Sequence, residues 1–283
     1  MVLRHLSKRV DVARRLVIFP KECFELMKIV IMMKQVASKD AILRINKEST
    51  WIADADLSFE VNESDGYALE EGLRLKEKNG GEVVVCSLGP QRVKSVIKDA
   101  LARGADRAIH VVRDDSSHLS PYSAASILAA AVRAEQPDLI LTGLQSDDSG
   151  YGQTGVIMAE LLGLPHATIV IEVDASGESL RVKRELESGW YQWFAMSRPA
   201  LLTIQSGISQ IRYASLKGIM AAKKKEIKEV TPEAEGANRP PHQRIERIYL
   251  PEKTKQTQFL GDGNAKAGAI ALAEKLHTEA RII

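Results

Sequence analysis

Cysteine is scarce in this chain. Cys23 and Cys86 are the only two among 283 residues and form no C-x-x-C pair, so neither a disulfide framework nor a thiolate zinc set organises the fold. The two thiols suit a reducing compartment. The six histidines, His5, His110, His118, His166, His242 and His277, are scattered, which leaves a metal centre without local support. Net charge is lacking too. At a formal +2 the chain has no overall basic field to attract nucleic acid, and only a local patch stays open. No apolar run approaches the roughly 20 residues that span a bilayer, so direct membrane insertion is not expected and any membrane role comes through a partner.

What the chain has is enough apolar content, 45%, to bury a full core in one large domain or one domain with extensions. From Met27 the pattern alternates. Lys28 to Met33 reads as strand, Glu63 to Asn79 as helix, Glu82 to Ser87 as strand, and Gln91 to Arg103 as a helix stopped by Gly104. Ala108 to Val112 reads as strand, Pro121 to Ala134 as an Ala-rich helix, and Asp138 to Thr142 as strand. This order predicts a doubly wound α/β fold, Rossmann-like, with a mostly parallel sheet and helices on both faces. Ligands of such sheets bind beyond the carboxyl ends of the strands. Residues 36–39, 87–90 and 143–154 lie at such ends.

After Gly163 come three β segments, Thr168 to Val173, Leu180 to Leu186 and Ala200 to Gln205, expected to extend the same sheet. Trp190, Tyr191, Trp193 and Phe194 make the dense aromatic cluster. It reads as a half-buried strand in preference to a cofactor or partner contact. Ser215 is expected to cap a helix through Met220 to Lys225, its lysines lying where the helix dipole favours cations. Pro232 to Pro241 is linker-like, and Ala265 to Leu276 reads as a short helix in a tail of the kind that lies across a neighbouring subunit.

The stretch Gly143 to Gly155 is the most informative. Between a buried strand and the helical run Val156 to Leu162 lie small residues that let backbone approach a ligand. Gln153 and Thr154 fall where a helix N-terminus offers unpaired N–H groups to an anion. Gly and Asp also cap and bend ordinary turns, so a capping role stands beside the phosphate role. The stretch is not a P-loop, which argues against an ATP-using transferase or hydrolase. No nucleophile–base pair is evident.

Residues 1–26 are basic through Arg4, Lys8, Arg9, Arg14, Arg15 and Lys21, but Asp11, Glu22 and Glu25 intrude. We expect translation to start at Met27, with 1–26 an upstream extension. The domain expectation is therefore 27–210 as the α/β domain, 211–230 as a protruding loop and helix, and 231–283 as an extended arm.

Several ordered blocks carry a resemblance. They are Met33-Lys-Gln-Val36, Val61-Asn62 with Asp65 and Ala68-Leu-Glu-Glu71, Ser87-Leu-Gly-Pro90, and Ala100-Leu-Ala-Arg-Gly-Ala-Asp106. Gly143-Leu-Gln145 with Gln153-Thr-Gly155, Lys183-Arg-Glu185, and Arg212-Tyr-Ala-Ser-Leu216 leading into Ile219-Met-Ala-Ala-Lys-Lys-Lys225 follow. From Met27 to about Val230 the chain resembles the β subunit of electron transfer flavoprotein. The resemblance implies an α subunit holding the redox FAD, and a heterodimer carrying electrons from acyl-CoA-type or other flavin dehydrogenases to a membrane quinone oxidoreductase. It also implies an adenine nucleotide in the β subunit: AMP in simple carriers, a second FAD in electron-bifurcating relatives. Such a carrier is cytoplasmic, or lies in the mitochondrial matrix if residues 1–26 are a transit peptide.

By position, the family's nucleotide contacts fall on Met32, on Asn62, Glu63, Ser64 and Asp65, on Leu88, and on Gly143, Leu144, Gln145, Ser146, Asp147, Asp148, Ser149, Gly150, Tyr151, Gly152, Gln153 and Thr154. In that reading Gly152, Gln153 and Thr154 cradle phosphate, while Asp147 or Asp148 accepts from ribose hydroxyls or caps the turn. Glu185 matches a glutamate that reaches toward the α-subunit flavin. Leu216 matches the leucine at the tip of a recognition loop that anchors the dehydrogenase. Glu63 (where Pro is usual), Tyr151, Gly152 and the Trp190 to Phe194 cluster depart from the family pattern and leave the nucleotide's identity open. A nucleotide-sensing module of the stress-protein kind is the alternative of another class, and the block from Ile211 to Lys225 argues against it.

Overall fold

The computed structural model describes residues 26–55, 57–116, 119–231, 243, 245–252 and 257–283. The extension up to residue 25 and the linker-like stretch 232–241 lie outside the described residues. In chain order the elements are β1 (Lys28–Met32), β2 (Gln35–Ala37), β3 (Phe59–Val61), α1 (Glu63–Asn79), β4 (Glu82–Gly89), α2 (Lys94–Arg103), β5 (Arg107–Val112) and α3 (Pro121–Arg133). Next come β6 (Leu139–Gly143), α4 (Thr154–Leu162), β7 (His166–Asp174), β8 (Leu180–Glu185), β9 (Tyr191–Met196), β10 (Ala200–Ile204), α5 (Leu216–Ala222), β11 (Ile227–Val230) and α6 (Ala265–Lys275). Arg247–Ile283, which carries α6, forms a compact unit of its own.

Nine strands make one sheet in the order β11-β5-β4-β1-β6-β10-β7-β8-β9. The strands from β11 to β7 are parallel, and β8 and β9 add an antiparallel meander at one edge. The doubly wound expectation therefore holds. From β1 the chain winds outward to β4 and β5, then returns to place β6 on the other side of β1. That reversal makes the β1/β6 gap the switch point, where neighbouring loops part and leave a crevice.

The central strands are buried on both faces, which explains their continuous Val, Ile and Leu content. Ile29, Ile31, Val83, Val85, Leu139 and Leu141 join Leu69 and Leu73 of α1 and Ile97 and Leu101 of α2 in one apolar layer. Val30, Val84, Cys86 and Ile140 join Ile127 and Val132 of α3 and Met158 of α4 in the other. Alternating side chains of the same strands thus feed two cores. Burial pushes the Cys86 thiol up to about 12, so it behaves as an apolar filler.

Two local expectations are corrected, and the half-buried aromatic strand is found at the edge of the sheet. The helix expected from Gln91 begins as a 3-10 turn, Gln91–Val93, and becomes α-helical at Lys94, because Val93 donates to the Pro90 carbonyl at 3.0 Å. The aromatic segment does form a strand, but β9 is outermost in the sheet. Phe194 and Met196 pack on the core, whereas Tyr191 and Trp193 on the alternate side are 53% and 45% exposed, and Trp190, just before the strand, is 72% exposed. There the Lys183 ammonium stands 4.8 Å from the Tyr191 ring centre and the Arg181 guanidinium 5.4 Å from that of Trp193. The helix capped by Ser215, whose hydroxyl accepts the Gly218 N–H at 3.1 Å, stops at Ala222 before the lysines. Lys225 instead donates to the carbonyls of Leu101 and Ala105 at 2.9 and 2.6 Å, at the C-terminus of α2. The cation complements a dipole, but that of a different helix. Burial there lowers the Lys225 pKa.

Candidate functional site at the switch point

Residues 62–65 and the loop after β6 come together across the gap between β1 and β6. Asn62 precedes α1 and sends its side chain outward: its amide donates to the Gln145 carbonyl at 2.9 Å and its oxygen accepts the Asp147 N–H at 2.9 Å. The Ser64 hydroxyl donates to the same Gln145 carbonyl at 2.7 Å, and the Glu63 N–H to the Asp147 carboxylate at 3.2 Å. The Glu63 side chain turns away to pair with Lys39. The buried Asp65 carboxylate accepts the backbone N–H of Lys34 at 2.7 Å and of Gly143 at 2.9 Å. Desolvation raises its pKa to about 7 against the stabilising pull of those amides. Gly143 makes this close approach feasible. A Cβ there would lie 2.2 Å from the Ser64 hydroxyl and 2.3 Å from the Asp65 carboxylate.

The next residues form a closed turn around a lysine. Lys34, two residues beyond β1, reaches Asp148 at 2.6 Å, with the Ser146 and Ser149 hydroxyls at 3.3 and 3.4 Å. Gly150 donates to the Ser146 carbonyl at 2.8 Å and completes the turn. Burial opposes the Asp148 charge, but Lys34 and the two hydroxyls outweigh it and hold the carboxyl below its ordinary value. Asp147 and Asp148 are therefore both engaged in shaping the turn. The Asp148 charge is paired with Lys34, whereas Asp147 accepts one backbone N–H.

Beyond the turn, Gly150 and Gly152 both have φ of +62°, and Tyr151 between them is 42% exposed, its hydroxyl accepting from Gln243 at 3.3 Å. Gln153 is the N-cap of α4, and no side chain caps that end. The first amides of α4, from Thr154 onward, are thus free to bind an anion. Gly155 lets this end sit down on the strands: a Cβ there would be 2.7 Å from the Thr142 hydroxyl and 2.9 Å from the Thr203 methyl.

Met32 ends β1, Leu88 is the penultimate residue of β4, and both join the apolar layer of α3 and α4. Leu144 donates its N–H to the Ile204 carbonyl at 3.0 Å, tying the loop's start to β10. Glu185 ends β8 at the same level, since Arg184 registers with Val170, Val170 with Ile204, and Ile204 with Gly143. Its carboxylate accepts from the Gln205 amide at 3.4 Å. Leu216 stands apart from this cluster, 78% exposed, as the first residue of α5 and not at the tip of an irregular loop. The residue that sequence reasoning missed is Lys34. Its signal was a lone lysine directly after the strand that borders the switch point.

The site offers oriented amides, a half-exposed ammonium and hydroxyls, without a nucleophile–base pair of the kind that breaks covalent bonds. Among the described residues no group of three or more His, Cys, Asp or Glu side chains is placed to hold a metal. None of the helices described is long and apolar enough to cross a membrane. Fold and loop geometry together define a doubly wound α/β protein with a loop-built candidate binding site at its switch point.

The family model of the electron transfer flavoprotein domain matches residues 49–235. The chain is 35% identical over 254 residues to the electron transfer flavoprotein subunit beta of Methylophilus methylotrophus, covering 86% of this chain and 96% of that protein. The subunit beta of Bradyrhizobium diazoefficiens is 38% identical over 72% of this chain and 82% of its own. The human subunit beta is 34% identical over 73% of this chain and 82% of its own. The chain belongs to the electron transfer flavoprotein β-subunit family. It is accordingly a flavin-associated protein of electron transfer.

Proposed function

We propose that this chain pairs with an electron transfer flavoprotein α subunit and holds an adenine nucleotide, AMP, at the β1/β6 switch point. The heterodimer would take electrons from an acyl-CoA-type or other flavin dehydrogenase and pass them toward a membrane quinone oxidoreductase. One observation carries the nucleotide reading. The N-terminus of α4 has no side-chain cap, and the loop before it is held in shape from outside by Asn62, Ser64, Asp65 and Lys34. A phosphate would accept from the amides of Gln153, Thr154 and Gly155 and from the Thr154 hydroxyl. Met32 and Leu88 would floor the crevice.

The redox chemistry belongs to the FAD of the α subunit, which accepts and returns one or two electrons. The residues of this chain position it. Glu185, at the crevice level on the antiparallel meander, would face the α subunit's flavin region. The exposed Tyr249, Leu250, Phe259 and Ile270 of the Arg247–Ile283 unit are apolar surface suited to a subunit contact. The test is to purify the chain with its α subunit and count flavin and AMP per heterodimer. One flavin plus AMP supports the simple carrier, two flavins replace it with a bifurcating one, and no nucleotide with no stable partner defeats both.

A further inference from the structure

The segment from Arg212 to Lys225, whose Leu216 the family resemblance assigns to dehydrogenase docking, is held at both ends by contacts to other parts of the fold. At its far end α5 lies directly on α2: a Cβ on Gly218 would stand 2.1 Å from the Ala102 carbonyl, and Lys225 binds the last carbonyls there. At its near end stands Arg212. Its Nε lies 2.9 and 3.2 Å from the two oxygens of Glu70, its Nη2 2.9 Å from Glu70 and 3.1 Å from Glu77, and its Nη1 pairs with Glu77. Its backbone N–H also donates to Glu70 at 3.1 Å. Glu70 is buried while Glu77 is exposed, so one arm of the fork is desolvated, and the backbone bond to Glu70 fixes the main chain as well as the side chain. Ile211 packs beside it, its Cδ1 3.4 Å from where a Cβ on Gly66 would be. Gly66, Glu70 and Glu77 lie along one stripe of α1.

Immediately after this anchor the chain exposes Tyr213 at 94%, Leu216 at 78% and Met220 at 57%. An apolar anchor binds a partner well only if it is already in place, since ordering it on contact subtracts from affinity. We propose that Arg212 is a positioning residue for docking. By clamping the start of the segment to Glu70 and Glu77 of α1, it presents Tyr213, Leu216 and Met220 as a preformed surface to the dehydrogenase. This rests on the dehydrogenase-docking role that the family resemblance implies for Leu216. Lysine does not reproduce this pairing, because a single ammonium lacks the planar fork that grips Glu70 through two nitrogens while reaching Glu77.

The experiment uses the full chain co-expressed with its α subunit, in wild type, Arg212→Lys, Glu77→Gln and Leu216→Ala forms. An acyl-CoA dehydrogenase kept reduced by its acyl-CoA serves as the donor. Arg212→Lys is expected to raise the KM for the heterodimer about tenfold while kcat stays within about twofold, the pattern of lost preorganisation. Amide exchange of residues 213–222 should quicken about tenfold, with the sheet strands unchanged. Glu77→Gln removes only the exposed arm of the fork, leaves no buried charge unpaired, and should move both readouts in the same direction by about two- to threefold. It decides the matter if Arg212→Lys fails to fold. Unchanged exchange in 213–222 in both variants overturns the proposal, as does loss of flavin from a folded Arg212→Lys heterodimer. If Leu216→Ala raises KM and the Arg212 and Glu77 variants do not, this inference fails alone. If Leu216→Ala has no effect, or wild type accepts no electrons from the donor, the docking reading fails and takes this proposal with it.

Discussion

The Asp65 carboxylate and the Gly143 amide meet at 2.9 Å across 78 positions of sequence, and this bond joins the start of α1 to the end of β6. Its titration is displaced. The folded-state value of about 7 lies above the ordinary 3.8, so the folded protein keeps a proton that the unfolded chain has released. The contribution of Asp65 to stability is complete below about pH 4 and is lost as pH rises toward 7, with a slope of up to about 1.4 kcal/mol per pH unit. Urea midpoints across that range should show a wild-type stability relative to Asp65→Asn that declines with pH. A flat difference would refute the assignment.

Gly143→Ala should be severe. The added methyl would collide with the Ser64 hydroxyl, the Asp65 carboxylate and the Asp65 backbone nitrogen at 2.2, 2.3 and 2.8 Å. A loss of about 1–3 kcal/mol is expected from the displacement this forces. Gly150→Ala meets nothing within 4 Å and carries only the left-handed backbone penalty of about 1 kcal/mol. Denaturant unfolding of the two variants compares collision with conformational cost directly.

Lys34→Met removes the ammonium around which Ser146, Asp148 and Ser149 are arranged. AMP affinity, read by calorimetry on nucleotide-free heterodimer, should fall roughly five- to tenfold, as a partly exposed ion pair contributes about 1 kcal/mol. Adding Asp148→Asn to Lys34→Met should recover part of that loss by removing the unpaired carboxylate.

Leu216→Ala should slow electron acceptance under second-order conditions without altering bound flavin or AMP. Its stability should stay within about 0.5 kcal/mol of wild type, as the side chain is 78% exposed. Unaltered rates would remove Leu216 from the docking surface.

The sequence disclosed most of the winding of this fold. Apolar spacing and the stop at Gly80 delimit α1 at Glu63 and Asn79, because one side of that helix is wholly core. The half-buried aromatic strand was equally visible, yet residue type did not tell which side chains lie uncovered, and Tyr191 and Trp193 are exposed. The lysines after α5 were assigned to the wrong dipole because Lys225 reaches Leu101, 124 positions earlier. Lys34 and Asp148 are likewise separated by 114 positions. Residue type and local spacing reveal a loop's capacity to bind. They do not reveal the distant groups that hold it in shape.

The double tether of the segment between Arg212 and Lys225 has an evolutionary consequence. Since one end is moored to α1 and the other to α2, the residues between can change composition without renegotiating any strand pairing. On the docking role proposed for this segment, a lineage would retune which redox donor it greets by exchanging a few outward side chains, while the sheet behind them stays the same.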